Sequence, residues 1–345
     1  MRGERIAVLG TGANGASIGA DLTRAGLDVT FIEQWPAHVE AMRAHGIRVE
    51  TPEESVTTEV RAIHLCEVAE VRRPFDVVFL LMKAYDTRWA CELIKPLLAP
   101  DGLVVGLQNG MTTDTIADVV GASRTIGSVI EISSNMFEPG VVNRQSPRSR
   151  SWFAVGGIQP DAQARAEEVA QLLAVSGTVE VSDDIRSSKW MKLVVNAAEL
   201  VPSAILGLPL SEAVRIPGMR AFMTEAGREA VHTAMATGNH VRPIFGMSDA
   251  DLGNPDSYAE QLFDAVLSDF TLPDTKTTVL QDWLKGRRSE VDQINGLVVD
   301  EEARLGGSAP ANQIAVELAH LIENGDLAAD VSNVDRLLAG APTVD

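Results

Sequence analysis

The chain has 345 residues, of which 45% are hydrophobic, and a formal net charge of −19. That length suggests two domains, each with enough apolar residues for its own core. The acidic balance excludes nucleic acid and anionic membrane surfaces as partners, and an acidic substrate would need local Lys or Arg.

The N-terminal residues run directly into a strand, and no long uncharged apolar run follows. The expectation is a cytoplasmic protein without a signal peptide. Residues 6–10 form a buried-type strand, and residues 14–26 a helix stopped by Gly26. A strand over 29–33, a helix over 37–44 and a strand over 47–50 follow, then a polar segment and an edge strand over 62–65. Residues 76–82 are almost wholly apolar, as in a parallel strand covered on both faces. A helix over 87–98 ends at Pro100-Asp101-Gly102, and 103–107 is the next buried strand. This alternation implies a doubly wound α/β sheet. Residues 125–181 are more β-rich, with a strand over 153–157 and a helix over 161–173. Helical periodicity dominates afterwards, so the expected domains are 1–182 and 183–345. Residues 239–273 carry Gly, Pro and Asp and are expected to be loop-rich around one helix.

The first strand runs into Gly10-Thr11-Gly12-Ala13-Asn14-Gly15, a G-x-G-x-x-G with a strand before it and a helix after it. Gly10 allows the tight turn, Gly12 close approach of a pyrophosphate, and Gly15 close helix–strand packing. Free N–H groups at the helix start suit phosphates. Glu33 ends the second strand, where a carboxylate can accept from ribose hydroxyls and repel a 2′-phosphate. Gln34-Trp35-Pro36 offers no adjacent cation to hold one. NAD(H) is therefore favoured, with NADP(H) left open.

In the middle of the chain, Lys192 and Asn196 lie four residues apart, on one helix face. A lysine there can stabilise charge developing on a carbonyl oxygen and then donate its proton. Lys189 is the competing lysine, three residues earlier. The six histidines show no metal-ligand spacing, so no metal is expected. Cys66 and Cys91 are too few for a disulfide framework and are expected as reduced thiols. Arg144, Arg148 and Arg150 form a basic cluster, expected as a solvated loop rather than a contact for a substrate or phosphate.

With these motifs in hand, the chain resembles the ketopantoate reductase family along essentially its whole length. Besides the glycine loop, the resemblance rests on Leu81-Met82-Lys83-Ala84, Gln108-Asn109-Gly110-Met111 and Lys192-Leu193-Val194-Val195-Asn196. It is completed by Thr278-Val279-Leu280-Gln281-Asp282 and Ser289-Glu290-Val291-Asp292-Gln293-Ile294-Asn295-Gly296. The resemblance implies an N-terminal Rossmann-type doubly wound sheet plus an all-α C-terminal domain, with the active site in the cleft between them. It implies Lys192 as general acid, assisted by Glu290, with Lys83 and Asn109 lining the nicotinamide side. Asn196 and Thr278 would hold the substrate.

The chain departs from the family pattern after Asn196, where two further asparagines are expected. Leu200 or Val201 stands near the first place and Leu210 near the second. Slippage around Pro202 is one account. The other is a more apolar pocket, with Glu199 as a new polar contact and a substrate other than ketopantoate. The expected activity is NAD(P)-dependent interconversion of a 2-oxo acid, or a related carbonyl compound, and its alcohol. Genuine 2-dehydropantoate reduction, imine reduction and a non-catalytic NAD(H) sensor are the alternatives. The expected partners are the small substrate and a second copy in a homodimer.

Overall fold

The structure, a computed structural model, describes residues 4–248, 254–272 and 275–339. The chain divides into two compact units, Met1–Arg186 and Ser187–Asp345.

The first unit begins β1 (Arg5–Leu9), α1 (Ala13–Arg24), β2 (Asp28–Glu33), α2 (Pro36–His45), β3 (Ile47–Glu50), β4 (Ser55–Thr58), β5 (Arg61–His64) and β6 (Phe75–Leu80). It continues with α3 (Thr87–Ile94), β7 (Leu98–Gly106), α4 (Thr113–Val120), β8 (Thr125–Glu131), β9 (Ser134–Glu138) and β10 (Val141–Arg144). β11 (Trp152–Gly157), α5 (Pro160–Gln163), α6 (Ala166–Leu173) and β12 (Thr178–Val181) complete it. Eight strands form one sheet in the order β12-β11-β8-β7-β6-β1-β2-β5, with β5 at the edge. All its pairings are parallel except β11 with β8.

Residues 6–9 of β1, 77–80 of β6 and 103–105 of β7 alternate their side chains between two cores, which is why these stretches are wholly apolar. One core joins Ile6, Val8, Val77 and Phe79 to Ile18 and Leu22 of α1 and Val39 of α2. The other joins Ala7, Leu9, Val78 and Leu80 to Ile94 of α3 and Ile116 of α4. Cys91 lies in the second core, where burial pushes its thiol up to about 12. Such a thiol is inert at neutral pH.

Several elements differ from expectation. The helix expected over 87–98 stops at Ile94, because Pro96 supports only a short 3₁₀ turn before β7. The helix over 161–173 is two helices, broken at Arg165. The polar segment after β3 contains β4, which joins a second, four-stranded sheet ordered β4-β3-β10-β9. The basic cluster also needs correcting. Arg144, on β10, is 2% exposed and not part of a solvated loop. Its guanidinium donates to Asp21 Oδ2 at 2.7 Å, Ser17 Oγ at 3.1 Å, Ser151 Oγ at 2.9 Å and the carbonyls of Ser146 at 3.0 Å and Ser176 at 2.5 Å. All its donor groups are thus engaged inside the protein, and it clamps the second sheet onto α1. Arg148 also reaches Asp21, at 2.8 Å.

The second unit is helical, with no strand among its described residues. It comprises α7 (Ile185–Ile205), α8 (Leu210–Ala213), α9 (Met219–Ala236), α10 (Pro255–Ala265), α11 (Thr278–Leu284), α12 (Asn295–Leu305), α13 (Pro310–Glu323) and α14 (Val334–Ala339). The first two residues of α7, Ile185 and Arg186, belong to the first unit. There Arg186 pairs with Asp114 at 2.6 Å, and a side chain on Gly156 would meet Ile185 at 2.9 Å. The division falls after Arg186, against an expected boundary at 182. Within the stretch 239–273, α10 is the expected helix, and a π-helical turn, Val266–Phe270, extends it. Residues 249–253 and Pro273 of that stretch lie outside the described residues.

Pro202 sits inside α7 and removes one backbone donor. Side chains from the C-terminal segment hold carbonyls on the turns before it. Asn295 Nδ2 donates to the Ala197 carbonyl at 3.0 Å and Thr277 Oγ1 to that of Leu200 at 3.1 Å. Asn295 also donates to Asn312 Oδ1 at 2.8 Å, and Asn312 Nδ2 donates to the Ala226 carbonyl at 3.0 Å. This buried chain of amides joins α7, α12, α13 and α9, which gives Asn295 a structural role. No helix among the described residues is long and apolar enough to cross a membrane.

Candidate active site

In the first unit the expected cofactor residues gather at the carboxyl ends of adjacent parallel strands, where open α/β sheets bind ligands. Gly10 leaves β1 at φ +91°, and a side chain there would lie 2.8 Å from the Leu81 and Met82 backbone. A side chain on Gly15 would stand 2.1 Å from the Gly10 carbonyl, so the turn and α1 close only with glycine at both positions. Gly12 is the exposed N-cap of α1. A side chain there would meet nothing within 4 Å, and no side chain caps the helix. The loop therefore offers open space over unshared N–H groups, which fits a pyrophosphate. Asn14 faces inward, its Oδ1 accepting from Ser134 Oγ at 2.5 Å. Lys83 follows β6 and Asn109 follows β7, both half-buried. The two exits are held in line with β1 by Leu81 N–H to the Leu9 carbonyl at 2.8 Å and Leu107 N–H to the Leu80 carbonyl at 3.0 Å.

Glu33 is less available than its sequence position suggests. It is 7% exposed. Its Oε2 accepts from Thr11 N–H at 2.7 Å and Thr11 Oγ1 at 2.9 Å, and its Oε1 from the N–H groups of Gln34 and Trp35, both at 2.9 Å. A carboxylate offers about four acceptor sites. A further hydroxyl donor would have to share or displace one of these four. His38, buried on α2, holds the same loop from the other side. Its Nε2 is 2.9 Å from the Thr11 carbonyl, and its Nδ1 accepts from Gly140 N–H at 2.9 Å.

In the second unit, α7 presents Lys189, Lys192, Asn196, Glu199 and Ser203 at spacings that keep them on one face. All are buried, Lys192 at 9% exposure and Asn196 at 1%. Lys192 Nζ lies 5.2 Å from the centroid of the Phe245 ring, which is itself 5.2 Å from Phe270 on the π-helical turn. Neither aromatic residue was singled out by sequence reasoning. Only the fold brings them to α7, and a left-handed backbone at a bulky residue such as Phe245 is not legible in sequence.

Thr278 opens α11. Its neighbour Thr277 is tied to the Leu200 carbonyl, whereas Thr278 Oγ1 is buried with no hydrogen-bond partner among the described residues. Unsatisfied buried hydroxyls are rare and fit a ligand contact. Glu290 is 4% exposed. Its charge acts on Lys189, whose ammonium is pulled down to about 8 by burial, with Glu290 opposing that fall. Lys189 is thus a buried ionisable group under the influence of the Glu290 charge. No cluster able to hold a metal ion occurs among the described residues.

The family profile "Ketopantoate reductase PanE/ApbA" matches residues 6–156, and "Ketopantoate reductase PanE/ApbA C terminal" matches 184–323. The 2-dehydropantoate 2-reductase of Archaeoglobus fulgidus is 26% identical over 329 residues, covering 94% of this chain and all of its own. That of Mesorhizobium japonicum is 28% identical over 313 residues, covering 84% of this chain and 89% of its own. The crystal structure of a PanE/ApbA family ketopantoate reductase from Ralstonia eutropha superposes with a TM-score of 0.78 at 29% identity, covering 93% of this chain and 99% of that one. D-mandelate dehydrogenase with NADH and anilino(oxo)acetate shares the fold, with a TM-score of 0.82 at 22% identity and the same coverage. The chain belongs to the ketopantoate reductase family and is an NAD(P)-dependent oxidoreductase acting on CH–OH groups.

Proposed function

We propose that the protein interconverts a 2-oxo acid carrying an apolar side chain and the corresponding 2-hydroxy acid, with NAD(H) favoured and NADP(H) accepted less well. The observation that carries this reading is Lys192, a buried lysine on the α7 face that also bears Asn196 and Glu199. The first unit holds the dinucleotide through the residues 10–15 loop, with Lys83 and Asn109 on the nicotinamide side. When bound, the nicotinamide supplies or accepts the hydride. Lys192 stabilises the negative charge that builds on the carbonyl oxygen and passes its proton there. In the oxidative direction it takes the hydroxyl proton back. Asn196 and Thr278 hold the substrate by hydrogen bonds, Glu199 adds a polar contact, and Glu290 keeps the local charge balanced.

The apolar side chain of the substrate is argued from what replaces the family's asparagines. The side chains of Leu200 and Val201 are buried and offer no hydrogen bond, Phe245 adds aromatic surface next to Lys192, and Phe270 packs against Phe245. The same reading takes the protein as cytoplasmic and homodimeric, the latter testable by light scattering. The deciding experiment is NADH oxidation with ketopantoate, branched aliphatic and aromatic 2-oxo acids, simple ketones and imines. The expected result is the highest kcat/KM on a branched or aromatic 2-oxo acid. A highest value on ketopantoate would restore the standard family substrate, and turnover of imines alone would overturn carbonyl reduction.

A further inference from the structure

The glycine loop is gripped at both ends of one peptide. Glu33 takes the N–H and hydroxyl of Thr11, and His38 takes its carbonyl at 2.9 Å. The imidazole is completely buried, and Trp35 covers it with ring centroids 5.8 Å apart. Its other nitrogen accepts from the backbone N–H of Gly140, in the turn between β9 and β10. A carbonyl needs a donor and an N–H needs an acceptor, so these partners fix the neutral tautomer with hydrogen on Nε2. One ring thus ties three segments: α2, the phosphate loop and the second sheet. Gly140 stands at φ +77°, and a side chain there would crowd Ala41 at 3.1 Å, so the turn can press its N–H against α2.

We infer that His38 is a positioning residue for the dinucleotide, holding the phosphate loop in its binding shape only while the imidazole is neutral. A proton added at Nδ1 would face the Gly140 N–H, donor against donor, at a fully buried ring. Burial lowers the affinity of His38 for that proton, and Glu33 and the Thr11 carbonyl oppose the fall. Glu33 is the charged group facing the ring. Glu40, on the same helix, is engaged by His64 at 2.7 Å and Arg43 at 3.3 Å, and the loops bearing Thr11 and Gly140 present backbone to the ring. The neutral state is therefore the resting state at neutral pH, and acid removes it.

The inference rests on the dinucleotide reading of the loop, and NADH affinity tests the two separately. Dissociation constants from NADH fluorescence would be measured from about pH 7.5 down to about pH 5, alongside thermal melts, for the wild type, His38→Leu and His38→Gln. Leu removes both contacts; Gln keeps a donor near the Nε2 position and does not titrate. At the upper pH, His38→Leu should bind NADH about tenfold or more weakly, with kcat at saturating NADH nearly unchanged. His38→Gln should stay near wild-type affinity. On acidification the wild type should lose affinity more steeply than His38→Gln. Wild-type affinity in His38→Leu, or equal pH profiles for the wild type and His38→Gln, would overturn the role of His38. Should His38→Leu fail to fold, the comparison of the wild type with His38→Gln decides alone. Absence of NADH and NADPH binding by the folded wild type would overturn the dinucleotide reading, and the inference with it.

Discussion

The Lys192 ammonium stands 5.2 Å from the centre of the Phe245 ring, and Phe245 is held with a left-handed backbone, φ +61°. A bulky residue in that region costs of order 1–2 kcal/mol. The turn that imposes it continues through Gly246 at φ +79° and closes with Met247 N–H on the Ile244 carbonyl at 3.1 Å. The ring therefore stands beside the ammonium at some conformational expense. Replacing Phe245 with Ala removes the ring and its contact with Phe270. We expect KM for an aromatic or branched 2-oxo acid to rise at least several-fold more than KM for a small aliphatic one. Steady-state kinetics on matched substrates checks this.

Lys192→Ala should lower kcat for carbonyl reduction by about 10²–10⁴-fold, the usual share of a general acid. Cofactor affinity and melting temperature should change little. Lys189 is a poor inert control, because it is buried and faces Glu290. Removing one member of a buried charge pair costs about 3–5 kcal/mol. Lys189→Ala should therefore show first as a lowered melting temperature. If Lys189→Ala instead cost more rate than Lys192→Ala in folded protein, the general acid would lie one helical turn earlier than assigned.

The same lysine sets a pH dependence of stability. Its ammonium titrates near 8 in the fold, against 10.5 when unperturbed. Between these values the unfolded chain binds more protons, so stability rises with pH through this window. The penalty for the buried charge is complete below the lower value and relieved above the upper one. Denaturant titrations between about pH 7.5 and 9.5 should show the wild type gaining stability relative to Lys189→Met.

Glu33→Ala should act on both the loop and its charge. The variant loses the acceptor for Thr11 and for the Gln34 and Trp35 N–H groups. NADH affinity should fall, while NADPH gains from the missing repulsion. The ratio of the two dissociation constants should move toward NADPH by roughly tenfold, the scale of one charged hydrogen bond. Isothermal titration with both cofactors measures it, and an unchanged ratio would remove Glu33 from cofactor selection.

Arg144→Met tests the buried clamp. It removes the buried ion partner of the nearly inaccessible Asp21 and leaves it the more exposed Arg24 and Arg148. Stability should fall by about 3 kcal/mol or more, with kcat on folded protein largely preserved. A melting temperature within about a degree of the wild type would mean that solvent or rearrangement replaces the clamp.

Much of this protein was fixed by local sequence. The parallel sheet was legible because the inner residues of β1, β6 and β7 are covered on both faces and are therefore apolar without interruption. The glycine loop was legible because a turn that brings Gly15 against the Gly10 carbonyl admits no side chain. The Lys192–Asn196 face was legible because helical periodicity is local. Only tertiary structure decided which polar residues are already engaged. Arg144 looks like a solvated cation until Asp21, Ser17 and Ser176 surround it. Glu33 looks like a free ribose ligand until Thr11 closes on it. His38 looks like one scattered histidine until Thr11 and Gly140 meet its two nitrogens across 27 and 102 residues of chain. The reason is physical. Backbone conformation depends on near neighbours, whereas hydrogen-bond partners and burial depend on segments that meet only after the chain has folded.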